Sequence, residues 1–374
     1  MVLKKWKRMP LSAPARLFFH LTNRCNFRCK YCFVDANIIK PQDEISVYEI
    51  KDIFDQCEAL NVLVIRLFGG EPLARPDIAQ IIRLSKQYSF STRINTNGYF
   101  INSELAKIIK DAGVGWVNVS LDGPEKIHEE LCGVPNSFKK VMAGIELLKS
   151  NDIRVGLEFV LNSANIGHLE ETLKIAAELD VERFRILPLA IVGRAHDLAS
   201  SLAVPYSIWK DFYFELTIRK IEKTLPFNDI SIDAFDCNFC SWQLYYPLPI
   251  EKRKELLKKA WGIDLDRATS VPGGLRCTAA INCCAIIANG DVYPCDQMMG
   301  ISSLRAGNIR KNNLKDIWLE SKVFSMLRNI TRQDLIGHCR TCENKFCTGY
   351  NRGAAYHATG SILGSDSNCI RAAN

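Results

Sequence analysis

Six short apolar runs punctuate the first half of the chain, and after each run apolar positions recur every three or four residues. The runs are LFFHLT (17–22), VLVIRLF (62–68), FSTRINT (90–96), GWVNVSL (115–121), RVGLEFVL (154–161) and ERFRILPL (182–189). Their β-branched and aromatic content is that of buried strands. The stretches between them have helical period. From Ser46 to Leu60, Val47, Ile50, Ile53, Phe54, Cys57 and Leu60 fall on one face, and Ser46 with Glu49 has the spacing of a capping box. Strand-then-helix units predict parallel strands, right-handed crossovers and a site at the strands' C-terminal ends. Six units rather than eight predict an α/β fold built as a partial, open (β/α)6 barrel.

That rhythm stops near residue 200. The next part is expected to be mainly helical, with SIWKDFYFELTIRKIEKTL and PIEKRKELLKKAWGI separated by DAFDCNFCSWQLYYP. From Cys277 onward cysteine and glycine dominate, the composition of a small domain organised by metal rather than by a large apolar core. The expected divisions are a basic N-terminal extension at 1–16, the barrel at 17–200, a bridging region at 201–274 and a cysteine-rich domain at 275–374.

At 374 residues the chain can hold a barrel-sized domain and a smaller second one, and 47% hydrophobic residues is ordinary for a globular protein. No apolar run approaches the ~20 residues that span a bilayer. The opening MVLKKWKRMP is basic but is followed by neither an apolar segment nor a small-residue cleavage site. A cytoplasmic protein with no membrane partner is expected. Fifteen cysteines then change the picture. A disulfide framework does not suit a reducing compartment, and the spacings C-x3-C-x2-C, C-x2-C-x4-C and C-x2-C are those of ligand sets. The formal charge of +7, with Lys4, Lys5, Lys7, Arg8 and Arg16 near the start, treats every cysteine as neutral. A 4Fe–4S core held by four thiolates carries about −2, so clusters would offset much of the excess. No nucleic-acid partner is inferred from charge.

Directly after the first strand comes Cys25-Asn-Phe-Arg-Cys29-Lys-Tyr31-Cys32. Three thiolates so close together can hold three irons of a cubane and leave the fourth open for catalysis. The spacing alone also suits zinc or a structural site, but its place at a strand's C-terminal end favours chemistry. Gly69-Gly70-Glu71-Pro72 closes the second strand, Asn95-Thr96-Asn97-Gly98 the third and Ser120-Leu121-Asp122-Gly123 the fourth. In this order the motifs resemble those of the radical S-adenosylmethionine superfamily, with Tyr31 at the aromatic place of C-x3-C-x-aromatic-C and the GGEP motif at 69–72. The resemblance implies that Cys25, Cys29 and Cys32 hold the catalytic 4Fe–4S cluster and that Glu71, beside Gly69 and Gly70, helps bind the cofactor's amino group. Tyr31, Asn97, Ser120 and Asp122 are the further cofactor-binding candidates, Ser120 foremost. The implied chemistry is reductive cleavage of S-adenosylmethionine to a 5′-deoxyadenosyl radical that takes a hydrogen atom from the substrate. Reduced flavodoxin or ferredoxin is the implied electron donor. Where many relatives with a second cluster domain have Arg-Gly after the fourth strand, this chain reads His128-Glu-Glu-Leu-Cys132-Gly133. Another group must then pair with the cofactor carboxylate.

Cys277-x5-Cys283 and Gly290-x4-Cys295 precede Cys339-x2-Cys342-x4-Cys347 and a final Cys369. With GDVYPCD (290–296), GNIRKNNLKDIW (307–318) and NRGAAYHATGSILGSDSNC (351–369), they resemble the SPASM domain of anaerobic sulfatase maturases and many peptide-modifying radical enzymes. The resemblance implies a distal auxiliary cluster on Cys339, Cys342, Cys347 and Cys369, and a nearer one on Cys277, Cys283 and Cys295. The nearer cluster's usual fourth cysteine falls at Asn351, so it keeps an open iron or takes a substitute such as Cys284. Asp296 matches the position of a proposed general base in sulfatase maturases, although an Asp in a turn is commonly structural. Cys57 belongs to the apolar helix face, and Cys237 with Cys240 is one pair, too few for a tetrahedral metal site. His20, His168, His196, His338 and His357 share no ligand spacing.

The open cysteine loop and cofactor motifs favour an enzyme over an electron-transfer or scaffold protein. The leading expectation is a maturase that crosslinks or oxidises a peptide or protein side chain. With about sixteen residues ahead of the first strand, recognition of a ribosomal peptide would need a separate small protein. The alternative is modification of a small molecule such as a porphyrin side chain or a sugar.

Overall fold

The computed structural model describes residues 11–36, 43–232, 248–262, 264, 277–342, 347, 349–366 and 369. Cys237, Cys240 and most of the basic extension lie outside them. The expected strands form as β1 (Arg16–His20), β2 (Val64–Phe68), β3 (Ser91–Thr96), β4 (Trp116–Ser120), β5 (Val155–Leu161) and β6 (Arg183–Pro188). All are parallel and neighbours in chain order. The helices joining them are α1 (Val47–Ala59), α2 (Ile78–Ser85), α3 (Ser103–Asp111), α4 (Glu125–Cys132) with α5 (Ser137–Ser150), and α6 (Leu169–Glu178). The capping box starts α1: Ser46 N–H donates to Glu49 Oε2 at 2.7 Å and Glu49 N–H to Ser46 Oγ at 3.3 Å. Cys57 is fully buried on the apolar face of that helix.

Side chains alternate across a strand, and here the alternation separates two environments. Leu17, Phe19, Ile65, Leu67, Phe159 and Ile186 are fully buried. Phe19 meets Phe54 of α1 edge-on, ring centroids 6.3 Å apart. The intervening residues Arg16, Phe18, Arg66, Phe68, Glu158 and Arg185 line a cavity instead.

The sheet extends beyond the six strands. A three-residue strand, β7 (Ile230–Ile232), pairs parallel with β6 inside the segment expected to be mainly helical. On the opposite side, β8 (Cys283–Ile286) pairs parallel with β1, and β9 (Asp291–Tyr293) and β10 (Gly307–Asn308) follow antiparallel. The order is β10-β9-β8-β1-β2-β3-β4-β5-β6-β7, an open sheet. The C-terminal segment also docks on the first helix and strand entry. Arg310 Nε pairs with Glu49 at 2.5 Å, Leu314 N–H donates to Gln56 Oε1 at 2.7 Å, and Trp318 Nε1 to Leu11 O at 2.7 Å. No helix among the described residues is long and apolar enough to cross a membrane.

Since β1 joins the barrel to the cysteine-rich segment, a cavity beneath it should weaken both. Phe19→Ala is expected to cost ~3–5 kcal/mol. Hydrogen exchange should then quicken in β8 as well as in β2. Wild-type protection of β8 in that variant would show that the two parts are not coupled through β1.

Candidate active site

The cysteine loop leaves the end of β1 and is held from two sides. From α4, Cys132 O accepts Arg28 N–H and Leu131 O accepts Lys30 N–H, both at 2.9 Å. From β2, Gly70 N–H donates to Thr22 O and Glu71 N–H to Arg24 O, both at 2.7 Å. The glycines are required by this approach: a Cβ on Gly69 would lie 2.5 Å from Thr22 O, and one on Gly70 2.5 Å from Arg24 O. Phe27, buried between Tyr99 and His128, anchors the loop's base.

Cys25, Cys29 and Cys32 all line the cavity, together with Tyr31, Gly69, Gly70, Asn97 and Ser120. Burial pushes the Cys25 thiol up to about 12 and Cys29 well above the ordinary thiol range, each raised further by the neighbouring cysteines. Buried thiolates that repel one another need a cationic partner, as an iron–sulfur core is. Among the described residues no three His, Cys, Asp or Glu side chains converge on a single ion site. The three thiols line one cavity.

Two cofactor candidates are turned away from the cavity wall. Glu71 is fully buried: Oε1 accepts Leu73 N–H at 2.9 Å and Thr96 Oγ1–H at 2.7 Å, and Oε2 accepts Asn97 N–H at 2.7 Å. Burial raises its carboxyl to about 7 against those donors. It ties the end of β2 to the end of β3, while Gly69 and Gly70 form the wall. Asp122 likewise accepts the Tyr31 hydroxyl and, at 2.8 Å, Val160 N–H, so it links the cysteine loop to β5. Burial raises Asp122 to about 7.

No arginine follows β4; His128 lines the cavity there, and burial lowers it to about 4, so its ring is neutral. A cation from outside the cysteine loop, Arg194, packs against it, and sequence reasoning missed it. It arrives from the loop after β6, where its N–H donates to Cys32 O at 3.0 Å and its Nε to Cys29 O at 3.1 Å. Gly193 before it has φ +59, and a Cβ there would meet Cys32 O at 2.5 Å. The signal was the Gly-Arg pair itself, five and six residues past the strand-forming ILP, with no spacing rule to single it out.

In the C-terminal segment, Asp296 and Gln297 complete the cavity wall. Cys283 Sγ lies 3.5 Å from Thr278 O and 3.9 Å from Pro294 O, the sequence neighbours of Cys277 and Cys295. Cys284 points elsewhere. In the β1–β8 register Cys283 pairs with Arg16 and Cys284 with Leu17, so the two thiols face opposite sides. Cys284 is buried near Cys57 and Arg328, and burial pushes it up to about 12. Asn351 is also engaged: its Oδ1 caps the helix Arg352–Thr359 through Ala354 N–H at 3.0 Å, and its Nδ2 donates to Gln297 Oε1 at 2.9 Å. For the distal set, Cys339 and Cys347 are within electrostatic reach of each other. Cys339 N–H donates to Ser365 Oγ at 3.2 Å and Cys369 N–H to Asp366 O at 3.0 Å, so one turn holds both ends of the set.

The Radical SAM superfamily model matches residues 19–176, and that of the SPASM iron–sulfur cluster-binding domain matches 277–343. The chain belongs to the radical SAM superfamily and carries a SPASM domain. It is 28% identical over 363 residues to an AdoMet-dependent heme synthase of Methanosarcina barkeri, covering 96% of this chain and 97% of that one. It is 25% identical over 362 residues to the PqqA peptide cyclase of Rhizobium meliloti, covering 96% and 87%. Streptococcus suis SuiB bound to S-adenosylmethionine shares the fold, with TM-score 0.75 at 19% identity over 96% of this chain and 78% of that one. As a radical SAM enzyme the protein uses S-adenosylmethionine and a 4Fe–4S cluster, with auxiliary iron–sulfur clusters in its SPASM domain.

The close contact at Gly70 is open to test. Gly70→Ala should displace the cysteine loop and weaken S-adenosylmethionine binding by at least about tenfold, because the new methyl meets backbone rather than a movable side chain. Gly167→Ala, with nothing within 4 Å of its Cβ, should bind as wild type does. Equilibrium dialysis of anaerobically reconstituted protein reads both, and unchanged affinity in Gly70→Ala would remove the argument for the GG pair.

Proposed function

We propose that the protein abstracts a hydrogen atom from a small molecule of the porphyrin class bound inside the barrel, in preference to a peptide side chain. Of the two expectations drawn from the sequence, this alternative is supported by the heme synthase, whose length the chain matches almost completely. The peptide reading draws on the PqqA peptide cyclase. The observation that carries the choice is an aromatic cluster beside the cysteine loop. Phe33 and Phe68 stack with ring centroids 6.4 Å apart and planes 9° from parallel, and Phe18 meets Phe68 edge-on at 6.4 Å. All three line the cavity. Such faces suit a planar conjugated ligand.

When bound, the reduced cluster and S-adenosylmethionine supply the 5′-deoxyadenosyl radical. The chain's residues hold and enclose those partners. Cys25, Cys29 and Cys32 are the ligands of the catalytic cluster in this reading, and the glycine backbone at 69–70 allows close approach of the cofactor. Tyr31, Asn97 and Ser120 form the wall around it, and Arg194 steadies the loop. Asp296 stands on the same wall, where a carboxylate can accept a proton from the substrate. Cys339, Cys342, Cys347 and Cys369 hold the distal auxiliary cluster and Cys277, Cys283 and Cys295 the nearer one. With Cys284 facing away and the Asn351 oxygen capping a helix, the nearer cluster would be held by the three thiolates of Cys277, Cys283 and Cys295 and would leave one iron for another ligand. A low-potential reductant such as flavodoxin or ferredoxin supplies the electron.

Two measurements test this. Replacing Cys25, Cys29 and Cys32 together by Ala should abolish 5′-deoxyadenosine formation under dithionite and lower the iron content from about twelve to about eight per chain. Iron coproporphyrin III should accelerate 5′-deoxyadenosine formation by wild type and change in mass. If 5′-deoxyadenosine forms but the porphyrin neither binds nor reacts, the substrate assignment fails while the radical chemistry stands.

A further inference from the structure

Four arginines line the cavity, from the sheet and from the loop after β6. They are Arg16, Arg66, Arg185 and Arg194, against Glu158 and Asp296. Glu158 is already held, by Arg185 Nη1 at 2.5 Å and by Asn95 Nδ2 at 2.8 Å. Arg194 pairs with Asp35 at 3.6 Å and donates to the cysteine loop. Arg66 differs from these. Its guanidinium lies over the Phe18 ring, 5.3 Å from the centroid, and among the described residues it makes no ion pair.

We infer that Arg66 is a carboxylate anchor for the substrate, an inference that rests on the porphyrin-class reading. A guanidinium on a cavity wall loses hydration when the cavity fills, and the loss is offset only if the occupant supplies an anion. Arginine's planar fork fits a carboxylate through two parallel hydrogen bonds. Phe18 restricts the fork by stacking against it, which lowers the ordering cost on binding. Position matters as much as charge. Arg66 precedes Gly69 by three residues on β2, and a strand rises about 3.3 Å per residue, so the anchor sits roughly 10 Å below the cysteine loop. A substrate held there by one carboxylate presents its opposite edge to the loop. Phe68, between the two in sequence, lines the same cavity. The site thus selects a rigid, planar ligand with a carboxylate on the side away from the reacting C–H bond.

The test uses anaerobically reconstituted protein titrated with iron coproporphyrin III and with its tetramethyl ester, binding being read from the porphyrin absorbance. Wild type should bind the acid about tenfold or more tightly than the ester. Arg66→Gln should weaken acid binding by roughly that factor and leave ester binding unchanged, and Arg66→Lys should restore part of it. Acid binding unaltered by Arg66→Gln, or equal loss for acid and ester, would overturn the anchor while leaving the porphyrin assignment standing. If wild type binds neither form, the porphyrin assignment falls, and benzene-1,2,4-tricarboxylate becomes the probe. It should raise the melting temperature of wild type but not of Arg66→Gln, and no difference between them would overturn the anchor as well.

Discussion

The backbone contact between the end of β2 and the cysteine loop is the constraint on which the site depends. Gly70 and Glu71 donate to carbonyls of the loop, and no Cβ fits at either glycine. These hydrogen bonds continue the β1–β2 ladder past the last paired residues, His20 and Phe68, so the sheet itself sets the height and tilt of the loop. Everything else in the region answers to that contact. Glu71 must follow the glycines inward, and its buried carboxylate is then satisfied by three donors from its own turn and from β3. Leaving those donors unpaired would cost about 1–3 kcal/mol each. The second and third strand-end motifs are therefore one structure, joined through a buried carboxylate within electrostatic reach of Cys25.

A parallel sheet covered on both faces is ordinarily apolar on both. This one is apolar only where it meets the helices. Toward the cavity it presents arginine, asparagine, serine and glutamate at alternate positions, an arrangement tolerable because those groups pair with one another or face a space that a ligand fills. Buried unpaired charge is the costly exception. The sheet thus spends part of its possible stability on a polar interior, and the phenylalanines on β1 and β2 confine that polarity to defined places.

Much of this was legible beforehand, and the limits have physical causes. The six strands and the α1 capping box appear where the apolar runs and cap spacing put them, because five to seven residues rich in β-branched and aromatic side chains leave a clear signal. Strand β7 has three residues, too few for a period to register. Motif spacing identified Glu71 and Asp122 but could not give their direction, which depends on donors from other strands. Cys283 and Cys284 are adjacent in sequence, and only the register with β1 shows that one faces inward and the other toward α1. Arg66 was hidden in plain view. Inside VLVIRLF it reads as one polar interruption of an apolar run, and its meaning emerges only when Phe18 and Phe68 are placed beside it.

The pairing of β8 with β1 carries a consequence for the two ends of the chain. Cys283 is in register with Arg16, and Ala285 with Phe18, so the first residues of the SPASM strand share the inner face of the sheet with cavity-lining residues. Cys295 directly precedes Asp296 and Gln297, which are themselves part of the cavity wall. Of the cysteines proposed for the nearer auxiliary cluster, Cys283 is tied to the cavity side by its strand register and Cys295 by its covalent neighbour. A substrate that has lost a hydrogen atom must still give up an electron or form a bond, and short, rigid separation favours either outcome. A cluster tethered through a flexible linker would not meet that need. Continuation of one hydrogen-bonded sheet from barrel to SPASM segment holds Cys283 in a fixed relation to β1, whose end carries the cysteine loop.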